Sequence, residues 1–403
     1  MVDFGAYAVL LTRLFFEILG DTETSRFSRH ANTSTAMRIL HISSAKTFGG
    51  GERHVADLCR GLQESDFEIF AAIRPTNQWQ DKLDFLKPEN ILYVSIRHSF
   101  GVLSSMRIAE FMKQNKIDIV HAHVARDYIP TNIACLAARP ARFVLTRHVL
   151  FPLKPFNRFA LNSLSAAIAV SDAVADSLKT VFPQSKIHVI KNGMDVSSVP
   201  ADVKMAEYRD EFRAGHSIAE DEFLLGTLGE LKELKGQRDL VIAAAEVLKR
   251  IPNARFVIVG EDNSPGRTFR RDLRRLAKVL GIAERIIWLD WLNDTRPFYS
   301  AIELFVSPSH SESFGLAMLE AMAYGKPVAA TATDGARELL GPKADLVPIG
   351  DPVSLANAIV RFAESKQRRI EAGNVNRAIV CDRFSLQRMV QETAALYRQV
   401  LGQ

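Results

Sequence analysis

Two carboxylates eight positions apart, Glu312 and Glu320, flank a predicted helix start in Ser307-Pro-Ser-His-Ser-Glu-Ser-Phe-Gly-Leu-Ala-Met-Leu-Glu-Ala-Met322. Glu312 falls in the loop before the helix and Glu320 almost two turns into it, roughly 9 Å along the axis at 1.5 Å per residue. One can reach a sugar hydroxyl while the other reaches a ribose. Between them the N–H groups of Phe314, Gly315 and Leu316, at a helix opening near Phe314, form a positive end suited to a diphosphate. Taken singly, Glu312 reads as an N-terminal helix charge and Glu320 as part of a solvated face. A second anion-binding turn lies at Gly49-Gly50-Gly51, which follows an apolar run and precedes the helical pattern Glu52 to Leu58. Bare backbone N–H groups there can approach a phosphate; the plainer reading is a tight strand-to-helix turn. The chain has no GxGxxG and no GxxxxGK[ST], which argues against dehydrogenase and P-loop chemistry. It also lacks Asp-x-Asp, the carboxylate pair that clamps a metal on a nucleotide diphosphate.

These residues need a scaffold, and the chain supplies short β-branched runs alternating with amphipathic helical stretches. Strands are expected at Met37 to Ser43, Glu68 to Ile73, Ile91 to Val94, Ile117 to His121, Arg142 to Thr146, Ala166 to Val170 and Ile187 to Ile190. A second series follows at Phe223 to Leu228, Arg255 to Val259, Arg285 to Leu289, Leu304 to Val306, Pro327 to Ala330 and Asp345 to Pro348. Such alternation means α/β architecture with parallel sheets covered by helices. The charged stretch 194–222, with Pro200 and Gly215, reads as the interdomain linker. Ligands of such sheets bind at the carboxyl ends of the strands, so two facing domains imply a cleft.

At 403 residues the chain is long enough for two or three domains, and 47% hydrophobic with 24% charged residues is ordinary for a folded soluble protein. A surplus of five cations suits a phosphate-bearing substrate or an anionic surface and is too mild to indicate a nucleic-acid partner. Cys59, Cys135 and Cys381 are far apart, so neither a disulfide framework nor a thiolate zinc site is suggested, and a cytoplasmic setting fits. Residues 1–36 read as an appendage, a disordered extension or the product of an upstream start codon, or alternatively an interfacial anchor helix; the apolar stretch Phe4 to Leu19 is broken by Arg13 and Glu17 and is too short to span a bilayer. Arg267, Arg270, Arg271, Arg274, Arg275 and Lys278 fall on one face of a single predicted helix. The stripe reads first as a solvated face, with peripheral contact to anionic lipid of the inner membrane as the alternative.

The Glu312 to Glu320 spacing resembles the E-x7-E signature of retaining glycosyltransferases, and from Met37 onward the chain resembles glycosyltransferase family 4. Matches recur in family order: Gly49-Gly50-Gly51-Glu-Arg, His121-Ala-His123, Val170-Ser-Asp, Ile190-Lys-Asn-Gly-Met-Asp195, Gly229 to Gly236, Val259-Gly260-Glu, and the E-x7-E block with Ala323-Tyr-Gly-Lys-Pro-Val328. The resemblance implies the GT-B fold, two facing Rossmann-like domains. An acceptor domain is expected over 37–200, a nucleotide-sugar donor domain over 201–384, and a terminal helix over 385–403 crossing back to the first domain.

It further implies that Gly50, beside Gly49, presents its N–H to the donor diphosphate, that His123 rather than His121 faces the donor sugar, and that Lys235 neutralises the leaving phosphate. Glu312 would hold donor-sugar hydroxyls and Glu320 the ribose. Many family members carry arginine where this chain has Glu230, so the second cationic contact would have to come from Arg53, Arg147 or Lys232. The implied reaction is hexosyl transfer from a nucleotide sugar to a hydroxyl acceptor, a lipid-linked one included, with retention of configuration. No cofactor and no metal is expected, and cell-surface polysaccharide, lipopolysaccharide or glycolipid synthesis is the expected setting. The rivals are an epimerase or phosphorylase of the same fold, and a non-catalytic sugar-nucleotide-binding protein, for which Glu230 speaks. Acceptor choice would lie in the loops Arg74 to Asp84, His98 to Ser105 and Arg147 to Asn157.

Overall fold

The computed structural model describes residues 36–96, 101–342 and 344–403. The predicted appendage, apart from Ala36, and residues 98–100 of one predicted acceptor loop lie outside the described residues. Seven strands, β1 Met37–Ser43, β2 Phe67–Ile73, β3 Ile91–Tyr93, β4 Ile119–Ala122, β5 Arg142–Arg147, β6 Leu164–Ala169 and β7 Ile187–Val189, form one sheet in the order β3-β2-β1-β4-β5-β6-β7. Five more, β8 Phe223–Leu228, β9 Ala254–Val259, β10 Ile286–Leu289, β11 Leu304–Ser307 and β12 Val328–Ala330, form a second in the order β10-β9-β8-β11-β12. All neighbouring pairs are parallel. Strands buried on both faces need near-continuous apolar sequence, and Ile39, Leu40, Ile42, Leu224, Leu225 and Val257 are fully buried for that reason. This is the α/β architecture with two parallel sheets that the alternating runs predict, and it agrees with the GT-B fold that the family resemblance implies.

Strand order reverses direction between β1 and β4 in the first sheet and between β8 and β11 in the second. Helices leaving two such neighbours depart to opposite sides, which opens a crevice at their carboxyl ends. The glycine triplet follows β1, His123 follows β4, Lys235 follows β8 and Glu312 follows β11. Topology thus delivers all four to the two switch points.

The C-terminal helix Leu386–Leu401 packs on the helix Gly50–Gln63 and β2, with Met389, Leu396 and Tyr397 sharing a core with Leu58, Cys59, Leu62, Phe67 and Ile69. Its Tyr397 hydroxyl lies 2.5 Å from His121 Nδ1, and His121 Nε2 lies 2.7 Å from Thr146 Oγ1. Both rings are fully buried. An unpaired buried polar group costs about 1–3 kcal/mol, so Tyr397→Phe should lower the urea midpoint accordingly without changing the slope. An unchanged midpoint would mean that this bond contributes no net stability.

Two expectations are corrected, at Asp345 to Pro348 and at the cationic stripe, and the linker stretch gains an element. Asp345 to Pro348 is not a strand: only Val347 makes an isolated bridge, to Thr331. The charged stretch 194–222 contains a helix, Asp202–Gly215, whose Phe212 is buried edge-on against Phe298 at 6.3 Å. The cationic stripe is not one face, because Arg270 turns inward, donates to the Gly260 and Leu289 carbonyls and pairs with Asp290 at 2.9 Å. Arg267, Arg271, Arg274, Arg275 and Lys278 remain exposed. Among the described residues no helix is long and apolar enough to cross a membrane.

Candidate active site

A cavity of about 780 Å³ occupies the crevice between the two sheets, and Gly49, Gly50, His123, Lys235, Glu312, Phe314, Gly315, Leu316 and Glu320 all line it. Its first wall begins at Gly49, which caps the helix Gly50–Gln63 and donates its N–H to Glu52 Oε2 at 3.0 Å. Burial raises the Glu52 carboxyl above its ordinary range. The opening N–H groups of that helix have no intrahelical acceptor, so the turn keeps its anion-binding character. Gly50 faces Leu316 of the opposite wall so closely that a Cβ would sit 3.0 Å from Leu316 Cδ1.

His123 lies just past β4, with Nε2 3.0 Å from His41 Nδ1 and its ring stacked on that of His41. His121, two positions earlier, belongs to the core described above. Burial depresses the basicity of the whole group: His41 falls to about 3, His54 to about 4, and His121, His123 and His148 lie well below the usual imidazole value. All five rings are therefore neutral near pH 7.

On the second wall Lys235 ends a tight turn whose next residue, Gly236, adopts φ 66°, and any Cβ there would overlap the Pro308 carbonyl. That close approach brings the β8 turn against the β11 loop, and Lys235 Nζ meets Glu312 Oε2 at 2.5 Å. Glu230 lines the same cavity but is neutralised by Lys232 at 2.5 Å and accepts from Asn263 Nδ2 at 3.3 Å. Of the three cations that could replace the missing arginine, Lys232 is engaged with Glu230 and Arg53 with Glu320 at 2.6 Å. Arg147 lines the cavity, is buried, and donates to the Phe151 carbonyl; it has no carboxylate partner among the described residues.

The helix expected to open near Phe314 opens at Leu316, because Gly315 has φ 98° and is its cap. Phe314 is instead a buried anchor, edge-on to Phe384 at 5.7 Å. The N–H groups aimed into the cavity end of the helix are consequently those of Leu316, Ala317 and Met318, two residues later than expected. Glu320 sits in the second turn, largely buried, and its ion pair with Arg53 joins the two walls. Ser313 Oγ adds a second cross-wall bond, donating to the His148 carbonyl at 2.6 Å.

Sequence reasoning missed His41, His54 and His148, which line or back the first wall. The available signal was a histidine inside an otherwise apolar strand at position 41 and another immediately after β5 at position 148. The arrangement as a whole can hold a diphosphate on two helix ends and a lysine, and can hold hydroxyls on two carboxylates.

Two family models match the chain, one described as Glycosyltransferase Family 4 over residues 48–198 and one as Glycosyl transferases group 1 over 222–365. The chain is 26% identical to the lipopolysaccharide core biosynthesis glycosyltransferase LpsE of Rhizobium meliloti over 87% of this chain and 95% of LpsE. It is 24% identical to the Escherichia coli UDP-Gal:alpha-D-GlcNAc-diphosphoundecaprenol alpha-1,3-galactosyltransferase over 91% of this chain and 98% of that protein. The Anabaena protein HepE, solved with UDP and glucose, superposes with a TM-score of 0.78 at 22% identity, covering 90% of this chain and 100% of HepE.

Proposed function

Since the chain belongs to glycosyltransferase family 4 and has the GT-B fold, we propose that it transfers a hexosyl group from a nucleoside-diphosphate sugar to an acceptor hydroxyl with retention of anomeric configuration. The convergence of Lys235, Glu312, Glu320, the Gly50 turn and His123 on one cavity carries this reading. The bond from the anomeric carbon to the diphosphate oxygen breaks, and a bond from the same carbon to the acceptor oxygen forms on the same face. The acceptor's proton leaves on the departing phosphate. Negative charge grows on that phosphate as the bond breaks, where Lys235 Nζ and the N-terminus of the Leu316 helix can stabilise it. Glu312 and Glu320 act as hydroxyl acceptors rather than general bases, and His123, neutral at pH 7, faces the sugar as a hydrogen-bonding wall.

The relatives point to the acceptor class. LpsE is named for lipopolysaccharide core biosynthesis and the E. coli relative for a diphosphoundecaprenol acceptor. A lipid-linked saccharide in cell-surface polysaccharide synthesis, met on the cytoplasmic face, is therefore the proposed acceptor. The exposed cations Arg267, Arg271, Arg274, Arg275 and Lys278 offer weak electrostatic support for residence at an anionic surface.

A panel of nucleoside-diphosphate hexoses incubated with lipid-linked acceptors, with the product anomer read by proton NMR, tests the reading. Transfer by one donor with the donor's configuration preserved is expected; binding of donors without turnover on any acceptor would replace it with a binding role. Because cationic and backbone groups take the place of a clamped metal, the same assay in excess EDTA should keep its rate. A loss in EDTA that magnesium restores would contradict metal-independent transfer.

A further inference from the structure

We propose that His54, His123 and His148 form a binding site for one divalent transition-metal ion of the zinc class, set into the first wall of the cavity. One ring nitrogen from each lies within 4.8 Å of the other two. A tetrahedral zinc ion with Zn–N bonds of about 2.0–2.1 Å requires ligand nitrogens about 3.4 Å apart, so modest ring rotations complete the site. His54 and His123 are each only 4% exposed. Neither nitrogen of His54, nor His123 Nδ1, nor His148 Nε2 makes a well-formed hydrogen bond among the described residues, the Asn192 side chain standing beside His54 and acting on its basicity. Buried polar atoms left this way are costly, and three side chains that converge with the same deficit share one remedy.

The surroundings fit a ligand set. His123 gives its other nitrogen, Nε2, to His41 Nδ1, the outer-shell arrangement that fixes ring orientation for metal-bound histidines. Burial holds the imidazoles in the neutral form that binds metal. The neighbouring trio His41, His121 and His123 also converges, but His121 spends both nitrogens on Thr146 and Tyr397 and His41 spends Nδ1 on His123. An all-imidazole set selects zinc, copper or nickel over magnesium and calcium, so the site is distinct from any magnesium requirement at a diphosphate. His123 and His148 both line the cavity, and three protein ligands leave a fourth coordination position open. If His123 faces the donor sugar as proposed above, a bound ion occupies that face and opposes transfer; binding itself does not depend on that reading.

The experiment uses the full chain, stripped with EDTA and desalted, titrated with cobalt(II) while visible absorption is recorded, then with zinc as competitor. One equivalent of tetrahedral cobalt, displaced by one equivalent of zinc, is expected. His54→Gln and His148→Gln should each weaken binding by at least roughly tenfold, and His41→Gln by roughly 10–100-fold as an outer-shell change. His216→Gln, outside the cluster, should bind as the unaltered chain does. Circular dichroism of each variant checks folding, and the half-buried His148 gives a usable variant even where His54→Gln fails to fold. Absence of one-equivalent binding, an octahedral spectrum alone, or unchanged affinity in His148→Gln would overturn the proposal.

Discussion

Lys235→Ala is expected to lower kcat by about 10²–10³-fold, the cost of removing one electrostatic stabiliser of a charge that grows only in the transition state. The donor KM should rise much less, because the helix ends still hold the ground-state diphosphate. Lys235 Nζ lies 2.5 Å from Glu312 Oε2, so a rival account makes the lysine a structural partner of the glutamate. The two accounts separate in a double-mutant cycle. If Lys235 only holds Glu312 in place, Glu312→Gln should reproduce the loss, and the double variant should be no worse than either single one. If Lys235 neutralises the leaving phosphate while Glu312 binds sugar hydroxyls, the two losses should compound, and Glu312→Gln should show in donor-sugar selectivity. Lys235→Arg should not restore full activity, since a planar fork cannot replace a compact ammonium in the turn closed by Gly236 against Pro308. A Lys235→Ala variant within threefold of the unaltered rate would remove the lysine from the chemistry.

Most of the scaffold was legible because parallel strands buried on both faces must be apolar runs, and turns between them must carry glycine or polar residues. The glycine turn, His123, Lys235 and Glu312 each follow a predicted strand, where ligands of such sheets gather, and it is the resemblance to family 4 that picks out His123 and Lys235 there. What failed were features decided by tertiary contact. Asp345 to Pro348 has strand-like residues but reaches the sheet only through Val347. Arg270 reads as part of a surface stripe, yet its guanidinium is spent on the Gly260 and Leu289 carbonyls. Helix periodicity placed the anion-binding end at Phe314, whereas the positive φ of Gly315 delays it. The histidine cluster was beyond reach for a further reason: residues 54, 123 and 148 meet only because β1, β4 and β5 are neighbours in the sheet, an order that composition does not encode. The Arg53 to Glu320 pair depends in addition on how the two walls face each other.

That pair supports the second large prediction, that Glu320→Ala weakens donor binding by about 10–100-fold, the range given by losing charged hydrogen bonds of about 1.5–3 kcal/mol. Arg53 Nη1 engages Glu320 Oε1, and a carboxylate offers acceptor capacity on its second oxygen as well, so Oε2 can take ribose hydroxyls while Arg53 stays in place. Glu320 is the main reason the basicity of Arg53 is raised. Arg53→Ala should therefore act differently from Glu320→Ala. It removes a wall-to-wall ion pair that is buried at the glutamate and about a third exposed at the arginine, and should lower stability by about 1–2 kcal/mol, between the exposed and buried cases. Donor affinity should fall only severalfold, through looser positioning of a carboxylate that is still present. Isothermal titration with nucleoside diphosphate, alongside urea unfolding of both variants, reads the two effects separately. Equal losses of affinity in the two variants, with no further loss in the double variant, would mean that Glu320 serves Arg53 alone. The ribose contact would then have to be sought elsewhere in the cavity.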